Sequence, residues 1–271
     1  MGKEFTVKLC TPDFSKTATT KEGMFMAEDD YGESYYYRGV ADNWVSFAGF
    51  YWRIIRINGD GSIRLIYSGT RENHIGDGTQ IGESAYNAVG NKEKCADYKI
   101  STVKKVVDNW YKTNILDKGY DNRIADTDYC NDMSKNSKNQ FSSSERLYNK
   151  TPTLKCPDKA SDLLSKSNNK LTYPVGLLTY DEVSFAGGVF YIGNESYNSR
   201  YYLYTGNSYW TMTPASWDGF GVRIGHVRYN GYLGDAYANY SSPGVRPVLS
   251  LKSNVLVTSG DGTIANPYVI N

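Results

Sequence analysis

The chain has 271 residues, 40% of them hydrophobic, which suffices for a sizeable buried core in one large domain or a domain with a substantial insertion. Its 30 Lys and Arg against 29 Asp and Glu leave a formal charge of +1, which removes the electrostatic basis for nucleic acid or an anionic membrane as the main partner. No apolar run reaches the roughly 18 residues of a membrane-spanning helix, so no membrane insertion is expected, and Met1-Gly2-Lys3 begins no signal-peptide core. A composition rich in Tyr, Asn, Ser and Gly, with an even cysteine count, favours a cell-surface or extracellular protein whose leader or anchor lies outside this chain.

The four cysteines, at 10, 95, 130 and 156, show no CxxC spacing and accompany only two histidines, which argues against zinc. Cys130 and Cys156 flank a polar stretch rich in Ser, Asn and Lys, and a disulfide closing it is expected because cross-linking such a loop removes denatured-state entropy. Cys10 and Cys95 either pair or stay free. The 25 Tyr, 5 Trp and 9 Phe form the compositional excess. Tyr offers a rigid ring and a hydrogen-bonding tip at low entropic cost, as binding surfaces favour, and it also suits ordinary strands.

In chain order, residues 1–28 carry few apolar positions and read as an extended lead-in. Residues 44–67 read as a β-hairpin, two aromatic and β-branched runs around the turn Asn58-Gly59-Asp60-Gly61, with Trp52, Ile54 and Arg56 alternating against Arg53, Ile55 and Ile57. The spacing of Val103, Val106, Val107, Trp110 and Ile115 predicts an amphipathic helix over 100–116, capped by Ser101 or Thr102. Residues 117–170 are polar and weakly periodic, an irregular insertion with one short helix near 160–165. A short strand PVGLL follows, and then a helix opened by a capping box of Thr179 and Glu182. From Tyr201 onward short strands are expected at 209–214, 221–229, 244–251 and 266–270. The fold class is α+β, with short antiparallel strands, two main helices and long irregular insertions.

The segment between the strands at 209–214 and 244–251 carries the candidate site. In 222–228, Val222, Ile224 and Val227 face the core while Arg223, His226 and Arg228 face outward, given a one-residue bulge near Gly225. Trp217, Phe220, Tyr232, Tyr237 and Tyr240 fall in adjoining loops that no core pattern claims, and Trp, Tyr and Arg are enriched among binding hot spots. Tyr201, Tyr202, Tyr204 and Tyr209 read as packing residues, and Arg246 as a scaffold residue. Neither Asp29-Asp30 nor the Gly-Asp-Gly turns match a calcium loop, and His74 reads as a solvated loop residue. No GxSxG elbow, Walker loop or HExxH is present, and no carboxylate pair sits in an apolar surround, so neither enzyme activity nor a cofactor is expected.

The stretches FAGFYWRIIRINGDGSIRLIYSGT, TYDEV, YWTMTP, GVRPVLSL and SGDGTIANPYVI together resemble surface proteins of gut Firmicutes, from Asp29 to the end. The resemblance implies a C-type-lectin-like fold of the formylglycine-generating-enzyme type over 29–271. The enzyme chemistry of that type needs a pair of cysteines in the C-terminal half, and no Cys follows Cys156. Residues 215–243 resemble the variable region of proteins targeted by diversity-generating retroelements, where adenine-directed mutagenesis yields mainly Tyr, Ser, Asp, Gly, His and Arg at Asn codons. This adds Asp218, Asn230, Asp235 and Asn239 to the candidate face. It implies a ligand-binding surface receptor or adhesin whose partner is a protein or glycan on another cell or phage. A carbohydrate lectin of fixed specificity and a self-associating pilus or surface subunit are the alternatives.

Overall fold

The computed structural model describes residues 7–9, 11–72, 75–190 and 197–271, so Cys10 and His74 lie outside the described residues. Strand β1 (Val7–Lys8) runs parallel to β2 (Lys21–Asp29), which turns back into antiparallel β3 (Gly32–Gly39). From Lys21 onward, then, the expected lead-in is a strand of the main sheet with Met24 and Phe25 buried. Its low apolar content reflects a strand with only these two hydrophobic anchors.

The run read as one hairpin arm is two strands, β4 (Trp44–Phe47) and β5 (Phe50–Ile57), which pair antiparallel. Between them Ala48 and Gly49 both adopt positive φ, 55° and 79°, as a two-residue turn of primed type demands. An alanine is a poor signal for that conformation. The expected hairpin forms between β5 and β6 (Ile63–Tyr67), with a bulge at Ile55 that breaks the simple alternation. β5 is central: β6 lies along one edge, β4 and β3 along the other, and Trp52 through Arg56 are all buried.

Helix α1 (Thr102–Tyr111) is capped by the Ser101 hydroxyl, which accepts from the Lys104 N–H at 3.0 Å. It packs Trp110 against Trp52 and Tyr67 with ring centroids 6.0 and 5.4 Å apart. The insertion at 117–170 is more ordered than expected. It holds β7 (Ile124–Ala125), β8 (Tyr129–Cys130), α2 (Ser142–Tyr148), α3 (Lys159–Asp162) and β9 (Leu163–Leu164), and it buries Tyr129, Phe141, Leu147 and Leu164. The anchors lie far apart along a mostly polar stretch, so no period shows in the sequence. The Cys130–Cys156 disulfide is present, and Cys95 is buried and free.

Helix α4 (Tyr180–Ala186) opens with the expected capping box. PVGLL forms no strand and makes only a single bridge, Gly176 to Val248. A three-stranded antiparallel sheet follows: β10 (Tyr209–Trp217), β11 (Val222–Val227) and β12 (Leu233–Tyr237). The chain then returns to the large sheet, β13 (Val248–Leu251) pairing with β6 and β7. Beyond it β14 (Val257–Ser259) pairs with β15 (Tyr268–Ile270), which lies parallel to β4. The class is α+β, and no described helix is long and apolar enough to cross a membrane.

Buried charges join these layers. Glu182 accepts from Arg56 at 2.7 Å and is ion-paired with Arg64 at 2.6 Å, and Arg146 of α2 binds Asp132 at 2.6 Å and Asp181 of α4 at 2.9 Å. Burial alone would raise the Glu182 carboxyl, but Arg64 and Arg56 outweigh it and hold it below its ordinary 4.5. A depressed folded-state value gives stability that is full above 4.5 and is lost as pH falls through the lower folded value. Glu182→Gln, which leaves two guanidiniums without their carboxylate, is expected to cost about 3–5 kcal/mol in chemical denaturation at pH 7. An unchanged midpoint would refute the role. Replacing Cys130 and Cys156 by Ser is expected to cost about 3 kcal/mol in the same assay, from release of a loop spanning 26 residues.

Candidate functional site

The candidate segment is built on β11, whose pairing with β12 runs without interruption from Arg223 opposite Tyr237 to Val227 opposite Leu233. The irregularity expected at Gly225 lies in the neighbouring strand. Trp210 pairs with His226 and Pro214 with Ile224, so β10 spends four residues where β11 spends two. Alternation along the regular β11 puts Val222, Ile224 and His226 on one face and Arg223, Gly225 and Val227 on the other. Gly225 is required because a Cβ there would lie 2.3 Å from the Tyr180 ring of α4. With Val222, Ile224 and Val227 all buried, both faces are covered at this end.

This corrects the outward placement of His226. It is 8% exposed, and its ring meets that of Trp210 edge-on at 5.9 Å. Asn230 and Tyr232 are buried too, and Arg228 is half-buried against the backbone of Gly234. Tyr232 follows the tight turn at Gly231 (φ 82°), which swings its ring inward, where no local periodicity reveals it. Tyr201, Tyr202 and Tyr209 are buried and Tyr204 half-buried, as expected. Arg246 is a buried scaffold residue, its Nε donating to Tyr67 O at 3.0 Å.

The remaining candidates gather into one exposed face. Asp218 accepts the N–H groups of Phe220 and Gly221 at 3.0 and 2.9 Å, a tight turn that leaves Phe220 87% exposed. The Tyr237 hydroxyl donates to Asp218 at 2.8 Å, the Arg223 guanidinium lies 4.1 Å over the Tyr237 ring, and Arg223 Nη1 donates to Asp235 at 3.0 Å. Hydrogen bonds from Gly221, Tyr237 and Phe220, in that order, hold the Asp218 carboxyl down to about 2. Tyr240 (54% exposed) and Asn239 continue the surface, and Trp217 is half-buried at the end of β10.

Two neighbours of this face had no sequence signal. Gly90 O accepts the Val222 N–H at 2.9 Å, which brings the exposed Val89 alongside. On the side of Asp235, a groove of about 450 Å³ runs between α2 and the small sheet, lined by Phe141, Ser144, Tyr148, Ala215 and Ser216. It exists because the Ser143 and Ser144 hydroxyls donate to Pro214 O and Ala215 O, which hangs α2 on β10. Among the described residues no group of three or more His, Cys, Asp or Glu is placed to hold a metal ion. The arrangement offers flat aromatic surface, a fixed Arg and open hydrogen-bonding groups.

Burial, reinforced by the nearby positive charge of Arg228, pushes His226 down to about 4 from an ordinary 6.5. The unfolded chain binds its proton first, so stability is expected to fall by up to about 3 kcal/mol as pH drops from 6.5 towards 4. Denaturation of His226→Gln across that range checks this, since the variant must lose that part of the slope. Compared with known protein families, with characterised proteins and with solved structures, the chain matches none of them.

Proposed function

We propose that this chain is a ligand-binding receptor of the C-type-lectin-like type, displayed outside the cell, whose residues 215–243 form the diversified segment of a retroelement-targeted protein. The observation that carries the binding reading is the cluster of Phe220, Tyr237 and Tyr240, exposed together beside Arg223 on a hydrogen-bonded strand pair. Exposed aromatic side chains next to an Arg are what recognition surfaces use as anchors. The contacts among Asp218, Tyr237, Arg223 and Asp235 order these groups before any ligand arrives, which lowers the entropic cost of binding. The open face and its flanking groove suit a macromolecular ligand, a protein or a glycan on another cell or phage, and no catalytic step is assigned to them.

Sequencing the encoding locus in several isolates tests the reading. The expected result is a template repeat near a reverse transcriptase, with substitutions at template adenines concentrated in the codons of Trp217, Asp218, Phe220, Asp235, Tyr237, Asn239 and Tyr240. The buried Val222, Ile224, Val227 and Tyr232 are expected to stay constant. A segment 215–243 that is invariant and has no template would overturn diversification and leave a lectin of fixed specificity or a structural subunit.

A further inference from the structure

Two buried arginines, Arg53 and Arg246, meet no carboxylate among the described residues, and Arg53 lines a pocket. Arg38, Arg56 and Arg64 are buried as deeply, and each meets a carboxylate, from Glu22 or Glu182. Arg53 of β5 is 4% exposed, and its hydrogen bonds go only to neutral groups, from Nε to Asn43 Oδ1 at 2.6 Å and from Nη2 to Ala41 O at 2.8 Å. No carboxylate is in ion-pair contact with it among the described residues. The nearest acid on the same wall, Asp42, is held by Lys21 at 2.7 Å. A guanidinium carries five N–H donors, so the two bonds made leave three, both of those on Nη1 included.

That unmatched cation lies in the wall of a pocket of about 360 Å³. The Arg53 guanidinium lies near two rings, 4.1 Å from the centroid of Trp44 and 5.3 Å from that of Tyr202. Across the pocket the lining is largely apolar, from Val40, Ile75, Tyr201, Tyr204 and Ile264. Burial, with the charge of nearby Arg246 adding to it, pushes the guanidinium down to about 9, the direction an incoming anion would reverse. A charge buried without a counter-ion is costly, and a bound anion relieves that cost.

We propose that this pocket binds a small organic carboxylate with an apolar body, its carboxylate on Arg53 and its body against Val40, Tyr204 and Ile264. A single guanidinium on the wall suits a monoanion better than a phosphate dianion, and its planar donor set matches a carboxylate. The pocket shares no residue with the face around Tyr237, so the two stand or fall separately.

Calorimetric titration of the whole chain with benzoate, benzamide and inorganic phosphate tests the proposal. Benzoate is expected to bind saturably and at least about ten-fold more tightly than benzamide, its neutral counterpart, because a hydrogen bond to a charged group is worth that factor or more. Val40→Trp, at a 43% exposed position on the pocket wall, is expected to weaken benzoate by about ten-fold while leaving the thermal midpoint in place. Arg53→Gln is expected to abolish the preference for benzoate over benzamide, and Val40→Trp keeps the test decisive where that variant fails to fold. Equal binding of benzoate and benzamide, undiminished benzoate binding by Val40→Trp, or phosphate binding more tightly than benzoate would each overturn it.

Discussion

The carboxylate of Glu182 is the point on which the layers of this protein converge. One of its oxygens accepts the backbone N–H of Thr179 and closes the capping box, while the other meets Arg56 and Arg64 from the two central strands. A single side chain thus starts a helix of only two turns and neutralises two buried cations of the sheet beneath it. Such a short helix has little stability of its own. The far end is satisfied from the same sheet, since Arg38 donates to Ser184 O and Phe185 O, the last carbonyls of the turn. From this anchored position Asp181 holds α2 through Arg146, and Tyr180 reaches the small sheet through Gly234 O. The exposed face around Tyr237 and the groove beside it are therefore positioned by α4.

What was legible in the sequence was local and strongly patterned. The Asn58 to Gly61 turn between two β-branched runs, the Ser101 cap, and the Thr179 and Glu182 box each place their chemistry within four residues, and each is found in the structure. Features set by distant contacts were not legible. Nothing in SSSERLY announces a helix that hangs from the carbonyls of β10 some seventy residues away. LGDAY holds only one residue that favours strands, Tyr237, and it becomes β12 because β11 offers it a partner. In the candidate segment, residue type identified the exposed Phe220, Tyr237 and Tyr240, but it cannot separate them from Tyr232, which has the same chemistry and the opposite orientation. Only the turn at Gly231 makes that distinction.

The same division sets an exposed surface beside a buried core within thirty residues. The buried positions of β11 are locked by Tyr180, Trp210 and the α4 scaffold, whereas Phe220 and Tyr240 are exposed. Tyr237 and Asp218 are intermediate: exposed, yet bonded to each other, so a change in one alters the resting shape of the loop that presents Phe220. Neighbours coupled in this way combine non-additively.

The return of the chain to the large sheet after the small one bears on synthesis and on quality control. Strand β13 fills the position between β6 and β7, and β15 lies against β4, so the sheet built from the first seventy residues waits for the last two dozen to be completed. A chain stopped anywhere within residues 215–243 lacks both strands and keeps unpaired backbone along β4 and β6. Open strand edges of that kind aggregate or are degraded. The fold therefore checks its own reading frame: a translation product completes the large sheet only by running intact through residues 215–243 to the final strand.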